Sequence, residues 1–263
     1  MKLVVVTGAG SGIGRATALA FAREGAQVAA CAVDQTRLDS LRAELGDRAQ
    51  TMRKVDVADR AQMASFADAV GTADVIVNNA GVAVGGSFLD TSLDDWDWLL
   101  GVNLKGVVHG CHFFVPKMVA RGTGGHVINI SSIFGIYPAP NVTAYVASKF
   151  AVLGFSQSLR SELEPHRIGV TAICPGMIAT QIVADGRMVS DGTSASQKTM
   201  VSMFRKRGLA PEKVASVIVE AVRTNPAVRT VGKDAWAIHQ LTKVAPRAVN
   251  KVASTLSKRF GAG

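Results

Sequence analysis

Apolar runs alternate with stretches of helical period along the first third of the chain. Leu3 to Thr7 is an almost unbroken apolar run, the pattern of a strand covered on both faces in a parallel sheet. Arg15 to Glu24 then carries Ala18, Leu19 and Phe21 at helical spacing and stops at Gly25. A second strand is predicted over Gln27 to Val33 and a helix over Gln35 to Leu45, with Asp34 placed to cap it. Lys54 to Val57 reads as a short third strand, Arg60 to Val70 as a helix and Ala73 to Asn78 as a fourth strand. Such alternation predicts a parallel sheet with right-handed crossovers and helices on both faces.

The second half continues the pattern. Ser92 to about Phe114 is helical in period, with Asn103 inside it although Asn is a mediocre helix former. His126 to Ile130 is the fifth strand and ends at Ser131-Ser132. A helix is predicted from about Val142 to Leu163, where Val146, Phe150, Leu153, Phe155 and Leu159 roughly follow a 3.6 period. Gly169 to Cys174 is the sixth strand, stopped by Pro175-Gly176. Pro211 to Arg223 is a helix with Pro at its start, and Val228 to Val231 a last short strand. Between them, Gln181 to Arg207 is polar but includes Met188, Met200, Met203 and Phe204, a mixture that suits a lid over about residues 181–210. The expected fold is α/β: a Rossmann-type, doubly wound parallel sheet of about seven strands flanked by helices.

Composition narrows the setting. The 263 residues, 48% of them hydrophobic, suit one large domain with a well-buried core. No stretch approaches the roughly 18 consecutive apolar residues of a spanning helix. The N-terminus runs straight into a strand pattern, unlike a signal peptide, so a cytoplasmic location is expected. Cys31, Cys111 and Cys174 are odd in number and lack CxxC spacing, which fits buried thiols of a reducing compartment better than disulfides or a metal site. The formal charge of +9 is uneven. Residues 1–204 balance, whereas residues 205–263 carry twelve Lys/Arg against Glu212, Glu220 and Asp234. A neutral body with a basic end argues against a protein built to wrap nucleic acid.

Three stretches carry candidate chemistry. Gly8-Ala9-Gly10-Ser11-Gly12-Ile13-Gly14 lies between a strand and a helix, where glycines let backbone N–H groups approach a pyrophosphate and the helix N-terminus adds partial positive charge. Asn78-Asn79-Ala80-Gly81 ends the fourth strand, and ligands of such sheets sit beyond the carboxyl ends of the strands. Tyr145 and Lys149 are four apart, hence on one face of their helix. An ammonium group beside a phenol favours the phenolate and lowers its pKa, so the pair is a candidate general acid/base at neutral pH.

Taken in order, Thr7-Gly8-(three residues)-Gly12-Ile13-Gly14, Asn78-Asn79-Ala80-Gly81, Asn103, Ser132, Tyr145-(three residues)-Lys149 and Pro175-Gly176 resemble the short-chain dehydrogenases/reductases over roughly residues 1–232, with Ser132 thirteen residues before Tyr145. That resemblance implies hydride transfer between a nicotinamide cofactor and an alcohol or ketone. Tyr145 would be the general acid or base, and Lys149 would hold the phenolate and bind the nicotinamide ribose. Ser132 would hydrogen-bond the substrate oxygen as charge develops on it. Asn103 would position a water linking Lys149 to solvent. Gly8, Ser11, Gly12, Ile13 and Gly14 would cradle the pyrophosphate; Asp56 and Val57 would contact adenine, though Asp56 could merely cap a loop. Asn79, Ala80 and Gly81 would line the adenosine side, while Pro175, Gly176, Ile178 and Thr180 would meet the nicotinamide end. His109, His112 and His126 lack metal spacing and read as packing or surface residues. The family implies a homodimer or homotetramer formed through the helix of Tyr145.

Two regions depart from the family pattern. A carboxylate at the end of the second strand commonly holds the ribose 2′-OH, but Ala32 and Val33 stand there, and Asp34 is better placed as a cap. Arg37 could reach a 2′-phosphate, so the balance tips to NADP(H), with NAD(H) the alternative. The tail, residues 233–263, carries Trp236, Ile238, Leu241, Val244, Ala245, Ala248, Val249, Val252, Leu256 and Phe260 at helical spacing, with Lys243, Arg247 and Lys251 on another face. Pro246 breaks or starts a helix there. This face either packs on the body or a second subunit, or lies on an anionic membrane surface as a basic amphipathic helix. The substrate expected is an apolar or bulky alcohol or ketone. A non-catalytic dinucleotide-binding or scaffold protein, and an isomerase or dehydratase on the same fold, are the competing functions.

Overall fold

The computed structural model describes residues 2–189, 202 and 205–245. Its centre is a seven-stranded sheet in the order β3-β2-β1-β4-β6-β7-β9, with every pairing parallel. The strands are β1 (Leu3–Thr7), β2 (Gln27–Ala32), β3 (Ala49–Lys54), β4 (Val75–Asn78), β6 (Gly125–Ile130), β7 (Ile168–Pro175) and β9 (Val228–Val231). Two short strands, β5 (Val84–Gly85) and β8 (Arg187–Met188), pair with each other outside it. The helices are α1 (Gly12–Arg23), α2 (Gln35–Leu45), α3 (Arg60–Val70), α4 (Leu93–Leu100), α5 (Gly106–Arg121), α6 (Thr143–Leu163), α7 (Pro211–Thr224) and α8 (Lys233–Val244).

Strand parity sorts the core into two layers. Val4, Val6, Val28 and Ala30 face α1, α2 and α7, whereas Val5, Ala29 and Cys31 face α3, α5 and α6. Asp34 accepts a hydrogen bond from the Arg37 N–H at 3.0 Å and so caps α2 as its position foretells. All three cysteines are buried thiols.

Three expected elements differ. The third strand runs over Ala49–Lys54, not Lys54 to Val57. It is an edge strand with only Met52 buried, so its sequence lacks an apolar run, whereas Val55 and Val57 are buried in the loop that follows. The helix expected from Ser92 to Phe114 is two helices joined by a π turn, Gly101–Lys105, and α5 continues through Pro116 to a left-handed Gly122. The first helix begins at Gly12, so two glycines of the turn already belong to its first turn. Met200, Met203 and Phe204 of the expected lid lie outside the described residues, as do Pro246, Arg247, Ala248, Val249, Lys251, Val252, Leu256, Lys258, Arg259 and Phe260 of the tail.

At the amino end of the sheet, His126 is 4% exposed and its Nε2 lies 3.0 Å from Thr171 Oγ1. Thr171 spends its own proton on the Pro226 carbonyl, so the hydroxyl accepts and His126 Nε2 carries hydrogen. Burial pushes the imidazole down to about 4, aided by Arg160 and Lys2. The folded pKa lies below the unfolded value, so this contribution is complete above pH ~6.5 and is lost as pH falls toward ~4. Urea unfolding should therefore show wild-type protein losing about 2–3 kcal/mol more than His126→Gln between pH 7 and 4.5. Equal losses would show that His126 is not held neutral.

Candidate active site

The carboxyl ends of β1, β4, β6 and β7 open into one cavity of about 900 Å³. It lies where the sheet order reverses direction between β1 and β4, the place ligands occupy in doubly wound sheets.

The glycine turn and the Asn-rich turn form one unit. Thr7 Oγ1 accepts from the N–H groups of Asn79 and Ala80, at 3.0 and 3.1 Å. Asn79 Nδ2 donates back to the carbonyls of Thr7 and Gly8, at 2.9 and 3.2 Å. The turns approach so closely that a Cβ on Gly8 would fall 2.7 Å from Ala80 Cα, and Gly8 also holds a left-handed φ of +64°. Ser11 precedes α1 without a side-chain cap, so the first-turn N–H groups of α1 are left for an anion. Gly8, Ser11, Gly12, Ile13, Ala80 and Gly81 all line the cavity; Gly14 does not, and is there because a Cβ would strike the Gly8 carbonyl. Asp56 and Val57 also line it, but the Asp56 carboxylate accepts from the Ala58 N–H at 2.9 Å and the Val57 carbonyl meets His109 Nδ1 at 2.8 Å. Asp56 therefore closes its own turn, the loop-capping alternative.

Opposite these turns stands α6. Lys149 is 2% exposed, and its Nζ donates to the Ile130 carbonyl at 3.0 Å. The same Nζ lies 5.5 Å from the centre of the Tyr145 ring. Ser131 Oγ ties the Lys149 carbonyl at 2.8 Å, a structural role, while Ser132 accepts from the Phe134 N–H at 3.1 Å and hydrogen-bonds Tyr145. Helix, strand end and seryl hydroxyl thus meet at one wall of the cavity.

Burial raises the Tyr145 phenol to about 12, against the lowering by its hydrogen bond to Ser132. Burial also pushes Lys149 down to about 8, with Cys174 opposing. Desolvation thus works against the phenolate that a neighbouring amine favours. Asn103 is buried in the π turn, its Oδ1 accepts from the Val82 N–H at 2.8 Å, and its Nδ2 donates to the Val82 carbonyl at 3.0 Å and to Ser148 Oγ at 3.1 Å. The side chain ties the turn after β4 to α6; its two donors are spent.

The other end of the cavity is apolar. Pro175, Gly176, Ile178 and Thr180 line it after β7, with Trp98, Phe134 and Tyr137 across from them. Residues 181–189 run as a strap along the cavity, most of them lining it. Its β8 pairs with β5, and the Arg187 guanidinium sits 4.0 Å over Trp98 and 2.8 Å from Asp95 Oδ1. Two further lining residues, Asp234 and Ile238, come from α8, so the tail begins as part of the cavity wall. At the β2 end, Arg37 also lines the cavity and lies 3.2 Å from both Asp34 and Asp185. Sequence spacing carried no signal for Asp95, Asp185 or Arg187, which meet partners distant in the chain. No group of His, Cys, Asp and Glu among the described residues could hold a metal.

A family model described as short chain dehydrogenase matches residues 2–188, and the chain belongs to that family of oxidoreductases. Among similar proteins, "Probable oxidoreductase EphD" of Mycobacterium tuberculosis is 42% identical over 95% of this chain. The chain spans 44% of that relative's length. "Putative oxidoreductase SadH" of the same species is 38% identical over 98% of this chain and 96% of its own. A solved short chain dehydrogenase/reductase from Burkholderia phymatum in complex with NAD superposes with TM-score 0.84 at 29% identity, covering 92% of each chain. A closed serine dehydrogenase complexed with NADP+ gives TM-score 0.77 at 29% identity over 87% of this chain and 94% of its own.

Only two tyrosines exist, Tyr137 and Tyr145, and burial raises both phenols. Absorbance titration of the unliganded protein should show no tyrosinate below pH ~10. Ionisation of one phenol between pH 7 and 8, absent in Tyr145→Phe, would show that Lys149 overrides burial.

Proposed function

We propose that the protein is an NAD(P)-dependent oxidoreductase that interconverts a secondary alcohol and a ketone or aldehyde. The observation carrying this is the convergence of Ser132, Tyr145 and Lys149 on one cavity wall opposite the glycine turn. Family membership, and the NAD and NADP+ held by similar structures, support a nicotinamide dinucleotide as cofactor. The bound cofactor supplies or accepts the hydride.

The chain's own residues handle the proton. Tyr145 donates its phenolic proton to the carbonyl oxygen in reduction; in oxidation it first gives that proton to solvent, and the phenolate receives the hydroxyl proton. Lys149, still largely protonated at pH 7, stabilises the phenolate left behind. Ser132 donates a hydrogen bond to the oxygen that gains charge. Asn103 acts through Val82 and Ser148 as a positioning residue, so a water linking Lys149 to solvent needs another polar atom as well. The N–H groups of Gly12 and Ile13 at the start of α1 take the pyrophosphate, with Gly8, Ser11 and Gly14 shaping the turn. Asn79 holds that turn, while Ala80 and Gly81 form the adenosine wall with Asp56 and Val57. Pro175, Gly176, Ile178 and Thr180 close the nicotinamide end. With Ala32 and Val33 in place of a carboxylate and Arg37 beside the cavity, NADP(H) is favoured and NAD(H) accepted.

The apolar wall favours a bulky apolar carbonyl substrate. Val108 of α5 and Phe150 of α6 are exposed apolar side chains that support a homodimer or homotetramer. Residues 1–232 form the oxidoreductase body, and 233–263 an extension whose first helix serves the cavity. Tyr145→Phe should lower turnover about 10³-fold while keeping dinucleotide affinity. Near-native turnover in that variant would refute the acid/base assignment.

A peripheral membrane contact is a second reading, favoured by α8. Trp236 and Val244 are 59% and 83% exposed, Leu241 joins them, and the helix carries Lys233 and Lys243 ahead of a basic tail. No helix among the described residues is long and apolar enough to cross a membrane. Sedimentation with vesicles of anionic lipid should carry down the full chain, and Trp236→Ser with Val244→Ser should reduce this severalfold. These variants leave Ile238 in the cavity wall, which truncation of α8 would not. No sedimentation of the full chain would end this reading.

A further inference from the structure

Arg37 joins two parts of the molecule that are 148 positions apart in sequence. Its Nε faces Asp34 Oδ2 at 3.2 Å, on its own helix, and its Nη1 faces Asp185 Oδ2 at 3.2 Å, on the strap along the cavity. Asp34 is fixed because its other oxygen caps α2. The Arg37 backbone is fixed as well, since its carbonyl accepts from Arg15 at 3.2 Å and Arg15 is paired with Glu44. Asp185, whose side chain is 51% exposed, meets Arg37 from the other side.

All three charged groups line the cavity beside Ala32 and Val33. One guanidinium between two carboxylates leaves this end of the cavity net negative. A phosphate monoester carries about −1.5 to −2 charge at pH 7, so it cannot join Arg37 while Asp185 stays without meeting a like charge. A ribose hydroxyl carries no charge and requires no such displacement.

Resting on the nicotinamide cofactor argued above, we propose that Asp185 is a specificity residue that competes with the cofactor's 2′-phosphate for Arg37. NADP(H) must take Arg37 from the strap, whereas NAD(H) leaves the strap fastened. Arg187, two residues on, stays held by Trp98 and Asp95, so the displacement is local to the Arg37 side of the strap. The pair therefore sets cofactor choice from outside β2, where the family's usual carboxylate is missing.

The test is a binding cycle on the full chain, with affinities for NADP+ and NAD+ read by calorimetry. Both charges are roughly half-exposed, so Asp185→Asn should tighten NADP+ by about two- to fivefold, the range of an exposed ion pair, and leave NAD+ unchanged. Arg37→Gln should weaken NADP+ selectively, and adding Asp185→Asn to it should recover less than Asp185→Asn gains alone, because the two act on one interaction. An equal shift for both cofactors, no shift, or the full gain without Arg37 would overturn the proposal. If the wild-type protein bound neither dinucleotide, the nicotinamide reading itself would fall, a pattern distinct from the other three.

Discussion

Everything in this site depends on a buried amine and a part-buried phenol sharing one wall. Lys149 has almost no contact with water, and its amino group is held by one strand-end carbonyl. Desolvation disfavours the charge on both groups, moving the lysine down and the tyrosine up. The resting pair is thus biased toward a neutral phenol, which is the form that can give a proton away. Such burial is tolerable only because surrounding elements fix the geometry. Ser131 ties the lysine carbonyl, Ser148 ties Tyr145, and Asn103 ties Ser148 to the turn after β4. Each link satisfies a polar group that would otherwise be costly inside the wall.

The opposite wall is fixed by a different economy. Thr7 and Asn79 exchange hydrogen bonds across neighbouring strand ends, so the glycine turn and the asparagine turn move as one piece. Glycine is required where the pieces touch, since a side chain at Gly8 or Gly14 would enter backbone or Asn79. The joined glycine and asparagine turns therefore face Tyr145 and Lys149 across the cavity. Between them the strap from residue 181 to 189 is held by the half-exposed Arg37–Asp185 pair, by the Arg187–Asp95 pair with its Trp98 contact, and by a two-residue ladder.

What the linear sequence determined was everything set by local pattern. Parallel strands buried on both faces must be apolar, so β1, β2, β4, β6 and β7 were legible, as were helices capped by Asp34 or started by Pro211. The 3.6 period placed Tyr145 and Lys149 on one face, and the ordered motifs named the family. Edge strand β3 escaped because one-sided burial leaves no apolar run. The π turn escaped because its cause, Asn103 reaching Val82, is a contact 21 residues away. Only the tertiary structure decided how far water is kept from the pair, since burial belongs to the whole fold and not to a spacing of four. It alone also brought Asp185 to Arg37 and turned α8 toward the cavity. Those placements rest on charge and shape complementarity between distant segments, and such complementarity leaves no periodic mark on the chain.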